Sequence, residues 1–432
     1  MNFISPREAV NLIPNDATIV IQGSTSVPTV LLDALTERAK EGGVHGLHLI
    51  AGFGVLPGQA PWATLELMDA MHAETIFVPN WLRTATKEGV ADTIPCFLGE
   101  VPGLFRDGTV PVDVTLLNVS EPDENGYCSF GISADIAYSG QECSRIILAQ
   151  VNKYMPRTFG DPVIHVSRIT AAVRADVPIV EVPTPTTSDN DRKIGNFIAE
   201  QIPDGACLQI GVGGIPNAVL DALHGHQHLG LHTEAITDGV LPLIQQGIID
   251  NSLKTILPGK SVGSLVLGSR ALYDHIDGNP DFVIKDVAWT NDPRIISQNK
   301  RAMAINSAVE VDLTGQICAD SIGETIISGV GGQHDFMYGA SLSEGGKCFI
   351  ALPSRTGSGR SKIVPTLAPG AGVVTTRFQA QYIVTEWGIA YLRGKTTAQR
   401  AKALIAIAHP DDRETLERAA FKRFGPGFTY VK

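Results

Sequence analysis

The chain is poor in the features that announce several large protein classes. Its six cysteines, at positions 96, 128, 143, 207, 318 and 348, lie far apart and form no C-x-x-C pair. A disulfide framework and a thiolate metal site are therefore not expected, and the cysteines read as reduced, mostly buried thiols. No stretch offers ~18 uninterrupted apolar residues, and the opening Met-Asn-Phe-Ile-Ser-Pro-Arg-Glu has no basic segment followed by an apolar run. A soluble, unexported, cytoplasmic protein is the expectation. Positive charge is scarce as well: 34 Lys and Arg against 45 Asp and Glu leave a formal charge of −11. Without clustered cations a nucleic-acid surface is not expected, and Arg355, Arg360 and Lys362 are at most a local spot for a few phosphates.

Apolar residues, by contrast, are plentiful. They make up 44% of the chain against 18% charged, a composition that buries a large core and leaves little room for disorder. The 432 residues exceed one ordinary core. The chain also repeats itself. Ile13-Pro14-Asn15-Asp16-Ala17-Thr18-Ile19-Val20-Ile21, with Val27-Pro28 and Leu32-Asp33-Ala34-Leu35, returns as Ile202-Pro203-Asp204-Gly205-Ala206-Cys207-Leu208-Gln209-Ile210, with Ile215-Pro216 and Leu220-Asp221-Ala222-Leu223. Gly46-Leu47-His48-Leu49-Ile50 is matched by Gly230-Leu231-His232-Thr233-Glu234. A period of roughly 190 residues is far outside solenoid lengths and implies duplication of a domain. Glu234 stands where the first copy has isoleucine, a departure that shared scaffold does not explain.

In each copy a β-rich run leads through a Gly/Ser turn to a helix opened by Pro28 or Pro216, a residue suited to the first helical position. Further β-like runs, 112–117, 145–149 and 382–384, alternate with helical ones such as 399–408. The expected fold is α/β: two similar open domains, 1–190 and 191–432, each with a largely parallel sheet flanked by helices. Closely spaced prolines make 163–191 the expected linker. The Gly/Ser/Arg/Pro-rich 353–369 reads as a long connection or a loop beside a site.

Three segments of the second half carry candidate chemistry. Gly211-Val212-Gly213-Gly214-Ile215-Pro216 ends a strand, turns on glycines and starts a helix, so its N–H groups suit an anion or a developing oxyanion. As a dinucleotide fingerprint it lacks the third glycine, and a plain tight turn explains it equally well. Glu234 lies at the carboxyl end of its strand, the edge where open parallel sheets bind ligands, with a partly exposed strand-end carboxylate as the plainer alternative; Thr237 or Asp238 reads as the cap of a helix at 240–248. Ser328-Gly329-Val330-Gly331-Gly332-Gln333-His334-Asp335-Phe336 is a second glycine turn and a second source of N–H donors. On extended backbone His334 and Asp335 point to opposite sides, so both read as structural.

These segments, with Asn306 to Gln316, Val384-Thr385-Glu386-Trp387-Gly388-Ile389-Ala390-Tyr391-Leu392-Arg393-Gly394, Asn118 to Tyr127 and Met155 to Asp161, resemble the acetyl-CoA hydrolase/transferase family, and within it the 4-hydroxybutyrate and butyrate CoA-transferases. The resemblance runs through nearly the whole chain. It implies a ping-pong transfer of CoA between a short-chain acyl-CoA and a carboxylic acid, through a glutamyl-CoA thioester on Glu234. It further implies CoA contacts at Ile210, Gly211, Val212, Gly213, Gly214, Ile215, Gly331, Gly332 and Arg355, coenzyme A and acyl-CoA as substrates with no permanently bound cofactor, no metal, and a homo-oligomer. Relatives often carry a small aliphatic residue at the place of His334 and a Lys-Gly pair in the loop that here reads Ser354 to Arg360.

Alternatives remain on the same residues. Glu324 also precedes a glycine turn, on a β-like run. Gly259-Lys260-Ser261-Val262-Gly263 has the form G-x-S-x-G, but a nucleophile elbow needs a helix after it and Leu265-Val266-Leu267 looks β-like. The same segment ends a P-loop pattern that fails at Lys254. His224, His226 and His228 would share a strand face as metal ligands, though a polar loop is the better reading. An acyl-CoA hydrolase would use the same glutamate with water as acceptor. A noncatalytic acyl-CoA sensor would be expected to lack it.

Overall fold

Residues 1–56 and 58–430 are described by the computed structural model. The first half is built on seven strands: β1 (Thr18–Ile21), β2 (Leu47–Ala51), β3 (Met71–Thr75), β4 (Ala91–Thr93), β5 (Val114–Val119), β6 (Ile146–Val151) and β7 (Ala171–Arg174). Their order is β7-β6-β5-β1-β2-β3-β4, and every pairing is parallel. Central β5 is buried at all six positions, as expected of a strand covered on both faces. Helix α1 (Thr29–Lys40) returns the chain from β1 to β2 and packs Leu31, Leu32 and Leu35 against the sheet.

The second half begins with α2 (Asp189–Ala199), opened by a capping box in which Ser188 and Asp191 satisfy each other's backbone N–H. Strands β8 (Cys207–Ile210), β9 (Gly230–Leu231), β10 (Ala302–Ser307), β11 (Lys347–Ala351), β12 (Tyr382–Thr385) and β13 (Gly388–Tyr391) form a sheet of order β9-β8-β10-β11-β12-β13. Only the β12–β13 pairing is antiparallel. Helix α3 (Gly214–Asp221) follows β8, α4 (Gln333–Leu342) precedes β11, and α5 (Thr397–Ala406) with α6 (Pro410–Phe424) closes the chain.

The repeat maps onto corresponding places. β1 lies between β2 and β5, β8 between β9 and β10, so in each sheet the chain winds outward in both directions from a repeat-bearing strand. Such a reversal leaves a crevice at the carboxyl ends of the strands.

Local departures from the sequence expectations have physical causes. Pro28 is the residue before α1, and Pro216 is the third residue of α3, which starts on Gly214 after the Gly213 cap at φ +141°. The first four helical N–H groups lack an intrahelical partner, so proline is tolerated at any of them. The helix expected at 240–248 is only a 3₁₀ turn and Leu241–Gln245. Within the expected linker, Val163–His165 and β7 are strands; the irregular part is 175–188, pinned where the Val182 N–H donates to the Gly268 carbonyl at 3.0 Å. Among the described residues the cysteines are free, four buried and Cys96 and Cys143 partly so, and no helix is long and apolar enough to cross a membrane.

Candidate active site

A cavity of about 420 Å³ opens at the carboxyl edges of both sheets. Phe53, Phe77, Arg83, Leu98 and Asp135 line it from the first half, and Gln209 to Val212, Glu234, Leu265, Asn306, Ser307 and the glycine turn 328–332 from the second. Gly211 follows β8 and Ser307 ends β10, the two strands between which the second sheet reverses. The edge predicted to carry ligand is thus the edge that holds the cavity.

Glu234 faces this space three residues beyond β9. Burial raises its pKa above the usual carboxylate range, while the Asn291 side chain and the Gly332 N–H, both hydrogen-bonded to it, pull the other way. Asn291 Nδ2 donates to Glu234 Oε2 at 2.9 Å and also approaches Asp335 Oδ2 at 3.3 Å. Gly332 leaves no room for a side chain: a Cβ there would collide with Glu234 Oε2 and Asn291 Nδ2. The N–H expected to await an oxyanion is engaged here with the glutamate itself.

Asn291 is positioned from beneath by His232. The buried imidazole stacks on Trp289, ring centroids 5.5 Å apart, and its Nε2 lies 2.8 Å from the Thr290 carbonyl. Burial pushes its pKa down to about 3, so the ring is neutral; Nε2–H donates to Thr290 and Nδ1 accepts from Asn299 at 3.2 Å. The backbone that carries Asn291 is therefore tied to the strand end that carries Glu234.

Two further carboxyl groups, Asp135 and Asp335, are buried nearby, and the pKa of each is raised to about 7, mainly by burial and additionally by the charge of Glu234. The extended backbone assumed for residues 334–335 is in fact the first turn of α4. Helical geometry turns Asp335 inward, where it accepts the Gly99 N–H at 3.2 Å, and lays His334 on Phe97 with centroids 4.1 Å apart. Asp335 is therefore part of the Glu234 neighbourhood, which adjacency in an extended segment did not suggest. Asn291 and Asp135 carried no motif; each sits in a loop that sequence patterns leave blank.

The remaining candidates divide. Ile210, Gly211, Val212, Gly331 and Gly332 line the cavity. Gly213 borders a separate small depression beside Pro183, Ile215 is a buried residue of the first turn of α3, and Gly214 abuts Asp191 and Thr186. Arg355, expected at a CoA phosphate, does not line the cavity: its guanidinium grips Asp412 with two contacts of 2.7 Å and reaches Asp411 at 3.3 Å. Glu324 is exposed in the turn between two-residue strands, not on a strand, and borders a different depression with His72 and Lys87. Ser261 opens a short strand. The three spaced histidines go to three separate partners, His224 to Gln246, His226 to the Ile202 carbonyl and His228 to Asp250. Lys254 is buried with its amine donating to the carbonyls of Leu231 and Lys260.

Residues 1–183 match the acetyl-CoA hydrolase/transferase N-terminal domain and residues 268–420 the C-terminal domain of the same family. The chain is 43% identical to a 4-hydroxybutyrate coenzyme A transferase of Clostridium kluyveri, covering 98% of both chains. It is 44% identical to a succinyl-CoA:acetate/propanoyl-CoA:succinate CoA transferase of Fasciola hepatica, over 96% of this chain and 87% of the relative. The crystal structure of RipA from Yersinia pestis superposes with a TM-score of 0.93 at 33% identity, covering 98% of each chain. Whole-length similarity of sequence and of fold thus agree, and the chain belongs to the acetyl-CoA hydrolase/transferase family.

Proposed function

We propose that the protein is a CoA-transferase moving CoA between a short-chain acyl-CoA and a carboxylic acid such as acetate, butyrate or 4-hydroxybutyrate, with Glu234 as nucleophile. The observation that carries this reading is a half-buried glutamate held by two N–H donors at the wall of a cavity of about 420 Å³. Relatives named as CoA-transferases at more than 40% identity support it.

In this reading the Glu234 carboxylate attacks the thioester carbonyl, with Oε1 as the attacking oxygen because Asn291 holds Oε2. The C–S bond breaks, giving an acyl-glutamyl anhydride and CoA thiolate. The thiolate then attacks the glutamyl carbonyl, the acid leaves as a carboxylate, and a glutamyl-CoA thioester remains. A second carboxylate reverses both steps and departs as the new acyl-CoA. Thioester energy is retained throughout, and no net proton is released. A carboxylate is a weak nucleophile, so orientation by Asn291 and Gly332 and exclusion of bulk water supply the rate. Binding of the remote CoA body offsets formation of the reactive anhydride. Ile210 to Ile215, Gly331 and Gly332 are proposed to receive CoA, and Arg355 to do so only if released from Asp411 and Asp412. The family's hydrolases supply the second reading, in which water takes the place of the acceptor acid at the same thioester.

The test is peptide mass spectrometry after mixing with acetyl-CoA or butyryl-CoA, with borohydride added to reduce a glutamyl thioester. A reduced residue confined to the peptide containing Glu234 is expected, and loss of the thioester only on adding acetate marks a transferase. Loss in water alone marks a hydrolase. An unmodified peptide beside tight CoA binding overturns both in favour of a sensor.

A further inference from the structure

The cavity that holds Glu234 is lined by a single cationic side chain, Arg83, and none of the steps above uses it. Arg83 opens the short helix Arg83–Lys87 and is exposed, so it stands at the mouth of the cavity rather than in its depth. Its Nε donates to the Ile327 carbonyl at 3.0 Å, which lays the guanidinium beside the start of the turn 328–332. The two terminal nitrogens make no hydrogen bond or ion pair among the described residues. Gly329, Val330 and Gly331, also on the cavity wall, have backbone N–H groups that are likewise unpaired there. A guanidinium with one nitrogen fixed and two free presents a flat, permanently charged fork to an oxyanion.

We propose that Arg83 binds a phosphate of CoA at the mouth of the Glu234 cavity. The assignment rests on the transferase reading above. Glu234 fixes where the thioester carbonyl must lie, so the acyl group and the thiol end of CoA occupy the cavity of about 420 Å³. Its wall carries Phe53, Phe77, Leu98, Leu265 and Leu267 together with the carboxyl groups of Glu234 and Asp135, surroundings that exclude a phosphate. The phosphates of CoA lie at the far end of the pantetheine arm from the sulfur, and they therefore remain at the rim, where the Arg83 fork is open. A reacting carboxylate, by contrast, has to pass the rim and reach the glutamyl carbonyl. Arg355 is held by Asp411 and Asp412, so Arg83 is the cation placed to meet the carrier. Arg83 belongs to the first half and the turn beside it to the second. A phosphate held there ties both halves to one CoA, and the charge draws an anion towards an otherwise acidic cavity.

The experiment compares kcat/KM for butyryl-CoA and for butyryl-pantetheine, which keeps the thioester and the pantetheine arm but has no phosphate, with acetate as acceptor. The ratio of the two is expected to fall by about tenfold or more in Arg83→Gln, because a charge-assisted contact is lost on the phosphate-bearing donor alone. A smaller fall is expected in Arg83→Lys, which keeps the charge without the fork. An equal loss on both donors means that Arg83 only props the turn through Ile327, and overturns the assignment. So does a ratio unchanged in both variants, or a loss confined to kcat/KM for acetate, which gives Arg83 to the acid. Where Arg83→Gln does not fold, Arg83→Lys decides by the same ratio. Wild-type protein that moves CoA from no acyl-CoA overturns the transferase reading itself. In that case CoA affinity by calorimetry tests Arg83 alone: weaker binding in the variants supports the phosphate contact, and unchanged binding removes it.

Discussion

Glu234 sits where two tendencies oppose each other. Burial favours its neutral acid, and the Asn291 amide and Gly332 N–H favour the anion that the proposed mechanism requires. In Glu234→Gln the amide is nearly isosteric, so the thermal midpoint is expected to stay within a few degrees while transfer falls by at least ~10³-fold; turnover near wild type would remove Glu234 from the mechanism. Asn291→Ala deletes a contribution that lowers the Glu234 pKa. In the proposed mechanism the anion is the active form, so activity is expected to fall as pH drops through this pKa, and the acid limb of the kcat/KM profile is expected to move to higher pH in the variant. An unmoved limb would separate Asn291 from Glu234. Asp335 titrates with the opposite consequence for stability. Its folded pKa is raised from 3.8 to about 7, so its contribution is complete below pH 3.8 and is lost as pH rises through about 7. Asp335→Asn keeps a neutral side chain at all pH values. The stability of the variant relative to wild type is expected to rise between pH 4 and 8, by ~4 kcal/mol at most, in denaturant titrations across that range.

The element that brings donors to Glu234 is the turn 328–332, and the first half holds it in place. The Leu98 N–H donates to the Gly331 carbonyl at 3.1 Å, and Arg83 Nε to the Ile327 carbonyl at 3.0 Å. Gly329 passes so close to the chain after β3 that a Cβ would lie 2.5 Å from the Ile76 carbonyl oxygen and 3.0 Å from Phe77 Cα. Backbone cannot step aside as a side chain can. Gly329→Ala is therefore expected to shift the turn and lower kcat/KM by ~10²-fold, since displacements of about an ångström at a reacting group have that effect. Unchanged kinetics would show that the turn tolerates movement.

At the scale of the molecule the two halves are interlocked. Phe159–Gly160 pairs with Phe282–Ile284, the Val266 N–H donates to the Ile132 carbonyl at 2.8 Å, and Ile132, Ala134 and Met155 belong to the core cluster of the second half. The core thus crosses the repeat boundary. Calorimetry is expected to show one cooperative transition, raised by saturating CoA because the cavity draws on both halves. Two resolved transitions would mean that the halves unfold independently.

The strongly patterned parts of this protein were legible in the sequence. Runs such as 114–119 and 207–210 are apolar and β-rich because central parallel strands are covered on both faces, and the repeated strand–turn–helix located β1 and β8 with their glycine turns. Glu234 stood out because duplication supplied a reference against which one residue differed. Tertiary structure alone decided the company this glutamate keeps. Asn291 lies 57 residues beyond it and Asp135 some 99 residues before it, brought close by strand order and loop conformation rather than by local periodicity. The pairing of Arg355 was illegible for the same reason: two aspartates at the start of α6 lie beside its guanidinium once the chain has folded. Periodicity reports which face of an element is buried; it carries no record of which distant loop is buried against that face.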